Sequence, residues 1–319
     1  MPASQRTFGR KALPRRVRAV ALAATASVSA LALFFSCGAP GGSHEDRGAP
    51  PPGEAAPSPL ASRAAEQPVW DRAPGSIAAV GDSITRGFDA CSLLSDCPRV
   101  SWATGTDPAV PSLAQRLLED PRGRVWNLAR SGAVMADLPA QMTQAAKYRP
   151  ELVTVLIGAN DACADTADGM TPVAEFRADF VRAMRTLRRA LPRTQVFVAS
   201  VPDLRRLWAL GRDHPVASRV WRFGVCQSML GDPKAVHPAA VERRQRVHQR
   251  VQAYNAVLEQ VCSRDARCRY DGGAVHAYRF TADELSHWDW FHPSKLGQRR
   301  LAEIAYRTVV AKEPPARTG

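Results

Sequence analysis

Ser83, Gly132, Asn160, Asp289 and His292 are the residues of this chain whose types and spacing can do chemistry together. A serine hydroxyl is a weak nucleophile unless a base removes its proton. Asp289 stands three residues before His292, so its carboxylate can turn back to accept the imidazole Nδ1–H, which fixes the tautomer and leaves Nε2 for a serine. Pro293-Ser294 follows, a helix start that would anchor the turn carrying the histidine. His287 reads as a loop residue, His44 falls in a low-complexity stretch, and His214, His237, His248 and His276 lack a comparable partner. Asn160, in Gly158-Ala159-Asn160-Asp161, offers a neutral amide to a developing oxyanion. Gly132, in Ser131-Gly132-Ala133, would let a backbone N–H approach a ligand closely.

Taken singly, Gly81-Asp82-Ser83 is equally a helix-capping turn and Asn160-Asp161 an ordinary loop. Their placement gives them weight. Short apolar runs at Ser76–Val80, Arg124–Leu128, Leu152–Ile157 and Gln195–Ser200 read as strands. Helix-period segments at Pro111–Leu118, Leu138–Ala146, Val173–Ala190, Ala239–Cys262 and Ser294–Val310 alternate with them. That alternation predicts a parallel sheet covered on both faces, with ligands beyond the carboxyl ends of its strands. Ser83, Gly132 and Asn160 each fall just past such an end.

With these segments in view, the chain resembles the SGNH, or GDSL-type, hydrolases over about residues 76 to 310. The resemblance rests on Gly81-Asp82-Ser83, Ser131-Gly132-Ala133, Gly158-Ala159-Asn160-Asp161, and Asp289 with His292. It implies a flavodoxin-like three-layer α/β/α fold with a central parallel sheet. It further implies Ser83 as nucleophile, His292 as base, Asp289 as its orienter, and an oxyanion hole made by the N–H groups of Ser83 and Gly132 and the side chain of Asn160. Ile84 stands where the family name has Leu, an apolar exchange. Val100–Gly105, Asp137–Gln141 and Asn160–Cys163 are similar to the phospholipase B-like branch and to secreted actinobacterial GDSL lipases and esterases, which turns the expected substrate toward acyl lipids or lysophospholipids. A carbohydrate O-acetyl esterase is the alternative within the same chemistry. A non-catalytic surface lipoprotein that binds a ligand is the alternative outside it. The proposed chemistry needs no metal and no organic cofactor.

The chain start reads as an export signal over residues 1–37. Arg6, Arg10, Lys11, Arg15, Arg16 and Arg18 precede an uncharged run from Ala19 to Phe35. Cys37 is placed for lipidation, although Phe34 and Phe35 fit a lipobox poorly, and ordinary cleavage or a retained anchor are the other outcomes. Residues 38–70, rich in Pro, Gly and Ala, read as a disordered tether, leaving 71–313 for the hydrolase domain. The protein is therefore expected outside the cell, secreted or anchored to the outer face of the membrane.

Six cysteines remain after Cys37: Cys91, Cys97, Cys163, Cys226, Cys262 and Cys268. An even number in an exported chain suggests disulfides. Proximity favours Cys91–Cys97 and Cys262–Cys268, leaving Cys163 to meet Cys226. None shows paired zinc-site spacing. The net charge of +13 comes mostly from scattered Arg, with only five Lys, which argues against a nucleic-acid surface. A monomer acting on a small-molecule or lipid ester is expected. The long apolar segment 202–238, with Leu204, Leu207, Trp208, Leu210, Trp221, Phe223 and Met229, reads as an irregular insertion that either lines the substrate site or packs as core, tied down through Cys226.

Overall fold

The computed structural model describes residues 70–315. The expected signal segment 1–37 with Cys37, the tether up to residue 69, and His44 within it lie outside the described residues.

Five strands form one all-parallel sheet in the order β2-β1-β3-β4-β5: β1 (Ile77–Gly81), β2 (Val125–Asn127), β3 (Leu152–Leu156), β4 (Gln195–Val198) and β5 (Cys268–Tyr270). Every residue of β1, β3 and β4 is buried. Covered on both faces, these strands are mostly apolar rather than alternating, with Thr154 and Gln195 the polar exceptions, which is why they were legible as short apolar runs. The strand order is that of the flavodoxin-like fold, whose switch point lies between β1 and β3.

The helices are α1 (Ser83–Arg86), α2 (Leu113–Leu117), α3 (Leu138–Tyr148), α4 (Ala159–Ala162), α5 (Val173–Ala190), α6 (Leu204–Gly211), α7 (Pro215–Val220), α8 (Gln227–Leu230), α9 (Pro238–Cys262), α10 (Ala274–Ala277) and α11 (Lys295–Val310). The connections from β2 to β3, β3 to β4 and β4 to β5 carry α3, α5 and α9, with α5 packed against both α3 and α9, while α11 packs on α2 and on α10. Phe176 of α5 and Tyr254 of α9 stack with ring centroids 4.0 Å apart in the core between them. The expected helix at Pro111–Leu118 is shorter, because Ser112 caps it in a reciprocal box with Gln115.

Two expectations are corrected. A fifth strand, Cys268–Tyr270, joins the edge of the sheet beside β4. It had no apolar run to announce it, since its central Arg269 is buried and sends its guanidinium to the carbonyls of Thr308 and Ala311. The segment 202–238 is mostly helical rather than irregular, built from α6, α7, a 3-10 turn at Trp221–Phe223, and α8. Both readings of its role find residues in it: Trp221 and Met229 are buried in the core, whereas Leu204 and Leu207 line a hollow beside Ile84 and Phe291.

All six cysteines among the described residues are bridged, as Cys91–Cys97, Cys163–Cys226 and Cys262–Cys268. Such bridges persist in oxidising compartments. No helix among the described residues is long and apolar enough to cross a membrane.

Candidate active site

Ser83 opens α1 immediately after β1, and the backbone there is dictated by Gly81. Its φ is +142°, and a Cβ on it would lie 2.1 Å from the carbonyl oxygen of Leu156 on β3. Only glycine lets the chain leave β1 this close to its neighbour. Asp82 then caps the helix by accepting the N–H of Ile84 at 2.9 Å, which turns Ser83 to the carboxyl end of the sheet.

The turn is held by amides from distant parts of the chain. Gln141 of α3 accepts the Gly81 N–H at 2.7 Å and donates to the Gly81 carbonyl at 2.9 Å. Gln298 of α11 donates to the Ile84 carbonyl at 2.8 Å, and Asn127 at the end of β2 donates to the Thr85 carbonyl at 3.0 Å. None of these roles was read from the sequence, although Gln141 stands in the Asp137–Gln141 segment that is similar to a branch of the family. An amide contributes no spacing signal of its own.

From the far end of the chain comes His292. Its Nε2 lies 2.8 Å from Ser83 Oγ, and its Nδ1 lies 2.5 Å from Asp289 Oδ2. The other Asp289 oxygen accepts the backbone N–H groups of Phe291 at 2.9 Å and His292 at 3.0 Å, so the Asp-x-x-His turn is closed on itself. Ser294 caps α11 and so fixes the position of the turn, while Trp221 of the insertion donates its indole N–H to the Asp289 carbonyl at 3.0 Å. Phe88 and Phe291 flank the imidazole at 4.9 Å and 5.0 Å between centroids. Burial disfavours charge on Asp289, but the hydrogen bond and charge of His292 and the two N–H donors outweigh it and hold the carboxyl below its ordinary pKa. This carboxylate is the one that stays ionised.

Asn160 lies on the first turn of α4, past β3, and its amide donates to the Ala133 carbonyl at 2.9 Å. One of its two N–H groups is thereby committed, which orients the other. Gly132, past β2, has φ +81° and open space where a Cβ would point, with no atom within 4 Å. Glycine is required there by the backbone conformation rather than by crowding. Asp161 accepts the Met135 N–H at 2.9 Å and so ties α4 to the chain beyond Gly132. Burial raises its pKa to about 6, and that of Asp82 to about 7.

The other described histidines have their own contacts. His214 and His237 cap α7 and α9, His248 lies 3.5 Å from Asp203, His276 contacts the Val201 carbonyl, and His287 packs on Trp288. Among the described residues, Asp89, Asp289 and His292 form the one group whose atoms could converge on a metal ion. Two of the three are already bonded to each other, and His292 also to Ser83, so ligation would break those contacts.

Next to these residues lies a small apolar hollow of about 30 Å³. Ile84, Ala159, Phe291 and Pro293, the chain neighbours of Ser83, Asn160 and His292, line one side, and Leu204 and Leu207 of α6 line the other. The insertion is tied here covalently, because Cys163 ends α4 and Cys226 precedes α8.

The flavodoxin-like sheet with these residues at its carboxyl end defines an SGNH-type α/β hydrolase fold. The profile of the GDSL-like lipase/acylhydrolase family matches residues 79–300, and the chain belongs to that family. No curated protein matches it in sequence. Similar solved structures include TesA, at 19% identity over 74% of this chain and 99% of that one with a TM-score of 0.40. An α/β hydrolase from the metagenome of Lake Arreo, Spain, is similar at 18% identity over 74% of this chain and 96% of that one, TM-score 0.43. An acetyl xylan esterase variant from Geobacillus stearothermophilus is similar at 15% identity over 76% and 98% of the two chains, TM-score 0.46.

Proposed function

We propose that this protein is an exported serine esterase in which Ser83 is the nucleophile, His292 the base, and Asp289 the group that orients the base and stabilises its charged form. The observation that carries the reading is the unbroken hydrogen-bonded line from Ser83 Oγ through the His292 ring to Asp289, at 2.8 Å and 2.5 Å. Ser83 Oγ attacks the ester carbonyl carbon while His292 Nε2 takes its proton. The N–H groups of Ser83 and Gly132 and the free amide hydrogen of Asn160 receive the oxyanion. His292 returns the proton to the leaving alcohol oxygen, and an acyl-Ser83 ester remains. Water, deprotonated by the same ring, then releases the acid.

The acyl group sits in the hollow formed by Ile84, Phe291, Leu204 and Leu207, whose lining is mostly apolar with Asp203 and Arg206 also on it. Acyl-lipid substrates suit that lining. Its small volume favours a short acyl group, and this specific feature supports the second reading, an O-acetyl esterase. A series of p-nitrophenyl esters from acetate to palmitate, with a phospholipid and an acetylated xylan, separates the two. An optimum at medium or longer chains supports the lipid substrate, and activity confined to acetyl supports the other. Ser83→Ala is expected to abolish turnover of every ester while leaving the fold intact, and undiminished turnover would sink the assignment.

Three disulfides and the signal-like residues 1–37 support export. Mass analysis of the mature amino terminus distinguishes a lipidated Cys37, a cleaved chain and a retained anchor.

A further inference from the structure

Asp89 is a buried carboxylic acid behind the Asp289–His292 pair. Its residue is 1% exposed, and a carboxylate oxygen of Asp89, one of Asp289 and a ring nitrogen of His292 all lie within 4.8 Å of one another. Its backbone is fixed on every side. Its φ is +55°, its N–H donates to the Ser95 carbonyl at 3.0 Å, and its own carbonyl accepts the Ser286 hydroxyl at 2.7 Å. Ser286 in turn donates its N–H to the His292 carbonyl at 2.7 Å, so Asp89 is braced against the turn that carries the base. The loop beyond it is closed by the Cys91–Cys97 bridge, and the preceding Phe88 packs on the imidazole. A non-glycine residue held in the left-handed region over a site is strain that the surrounding fold sustains.

Two ionised carboxylates can only accept hydrogen bonds, and neither oxygen of Asp89 meets a hydrogen-bond partner in good geometry. A proton on Asp89 changes this, because it can be donated to Asp289. We propose that Asp89 is a positioning residue for the triad: it carries a proton toward Asp289 and, on losing it, places a second negative charge behind His292. The proposal rests on the reading of Ser83, His292 and Asp289 as a triad.

The chemistry supports the placement of that proton on Asp89. Burial and the charge of Asp289 push its pKa up to about 6, the Leu94 N–H and His292 opposing, while Asp289 stays low. The charged groups facing Asp89 are Asp289 and His292. Asp82 acts on the same ring from α1, and Asp96 of the disulfide loop is engaged by Arg86 at 2.9 Å. When Asp89 ionises, it adds a second negative charge beside the His292 ring.

The test is the pH dependence of kcat/KM for a p-nitrophenyl ester in Asp89→Asn and Asp89→Ala, beside Ser83→Ala. With the second charge removed, the acid limb of both Asp89 variants should move down by about half a unit or more. KM should stay within about twofold, and kcat should fall further in Ala than in Asn, which can still donate to Asp289. An acid limb that coincides with the parent in both variants overturns the proposal, even if stability falls. Should neither variant fold, the side-chain carboxyl carbon of Asp89 in the parent protein is followed by carbon-13 NMR. A carboxyl carbon of Asp89 that titrates near pH 6 supports the proposal, and one already ionised by about pH 4 overturns it. Full activity in Ser83→Ala would instead overturn the triad on which the proposal rests.

Discussion

Gln141 holds Gly81 by both of its peptide groups, accepting its N–H and donating to its carbonyl across 60 residues of sequence. Both glutamine atoms are buried, and so is the glycine. Gln141→Ala strands two backbone groups, each costing about 1–3 kcal/mol when left unpaired. Stability measured by chemical denaturation should fall by roughly 2–4 kcal/mol, with kcat lowered more than KM as the Ser83 turn loosens. An unchanged denaturation midpoint would mean that the turn is held without this side chain.

Gly81→Ala attacks the same turn from inside. The new methyl would meet the Leu156 carbonyl at 2.1 Å, and the φ of +142° is hostile to any side chain. Backbone must move on β1 or β3, so a loss of more than about 4 kcal/mol is expected. Soluble yield and thermal melting give the answer.

Asp289→Asn keeps the shape but alters the hydrogen bonding that fixes the imidazole. Nδ1 no longer donates to a carboxylate, and the imidazolium loses its counter-charge. Loss on the order of 10⁴ in kcat is expected, with KM nearly unchanged. A loss below tenfold in steady-state assays would show that His292 is oriented by other contacts.

Removing both Cys163 and Cys226 as alanines opens a bridge between residues 63 apart and frees the insertion from the helix that carries Asn160. A long closed loop predicts a loss of about 2–5 kcal/mol. Melting of the parent with and without reductant, compared with the double variant, checks it.

Asp82 gives a pH signature in stability. Burial raises its pKa to about 7, above the unfolded value near 3.8, so the folded state binds the proton more tightly. The stability from this group is fully present below about pH 4 and is lost as pH rises through about 7. Asp82→Asn keeps an N-cap and removes that loss. At pH 8 the variant should melt higher than the parent, by stability on the order of 1–3 kcal/mol, and at pH 4 the gap should close. A gap that is the same at both values would assign the effect to packing.

What could be read in advance was what the chain writes locally. The Asp289–His292 turn closes within three residues, and Ser83 and Asn160 follow β1 and β3, strands made legible by complete burial, while Gly132 follows the half-buried β2. The residues that were missed act at long range. Gln298 reaches Ile84 across 214 positions, and Asp89 meets the Ser286 hydroxyl across 197. Neither an amide nor a lone carboxyl has a periodicity that betrays its partner. β5 was hidden for a different reason, since a three-residue edge strand centred on an arginine carries no apolar pattern. The helices of the insertion were masked by their shortness, none exceeding the eight residues of α6.

The hydrogen bond from Ser83 to His292 joins positions 209 residues apart, and the helix after His292 also supplies Gln298. A ribosome delivers the serine long before it delivers either partner. Until the last helix docks, Ser83 has neither the His292 ring nor the Gln298 contact beside it, so under the proposed mechanism ester hydrolysis reports that this helix is in place.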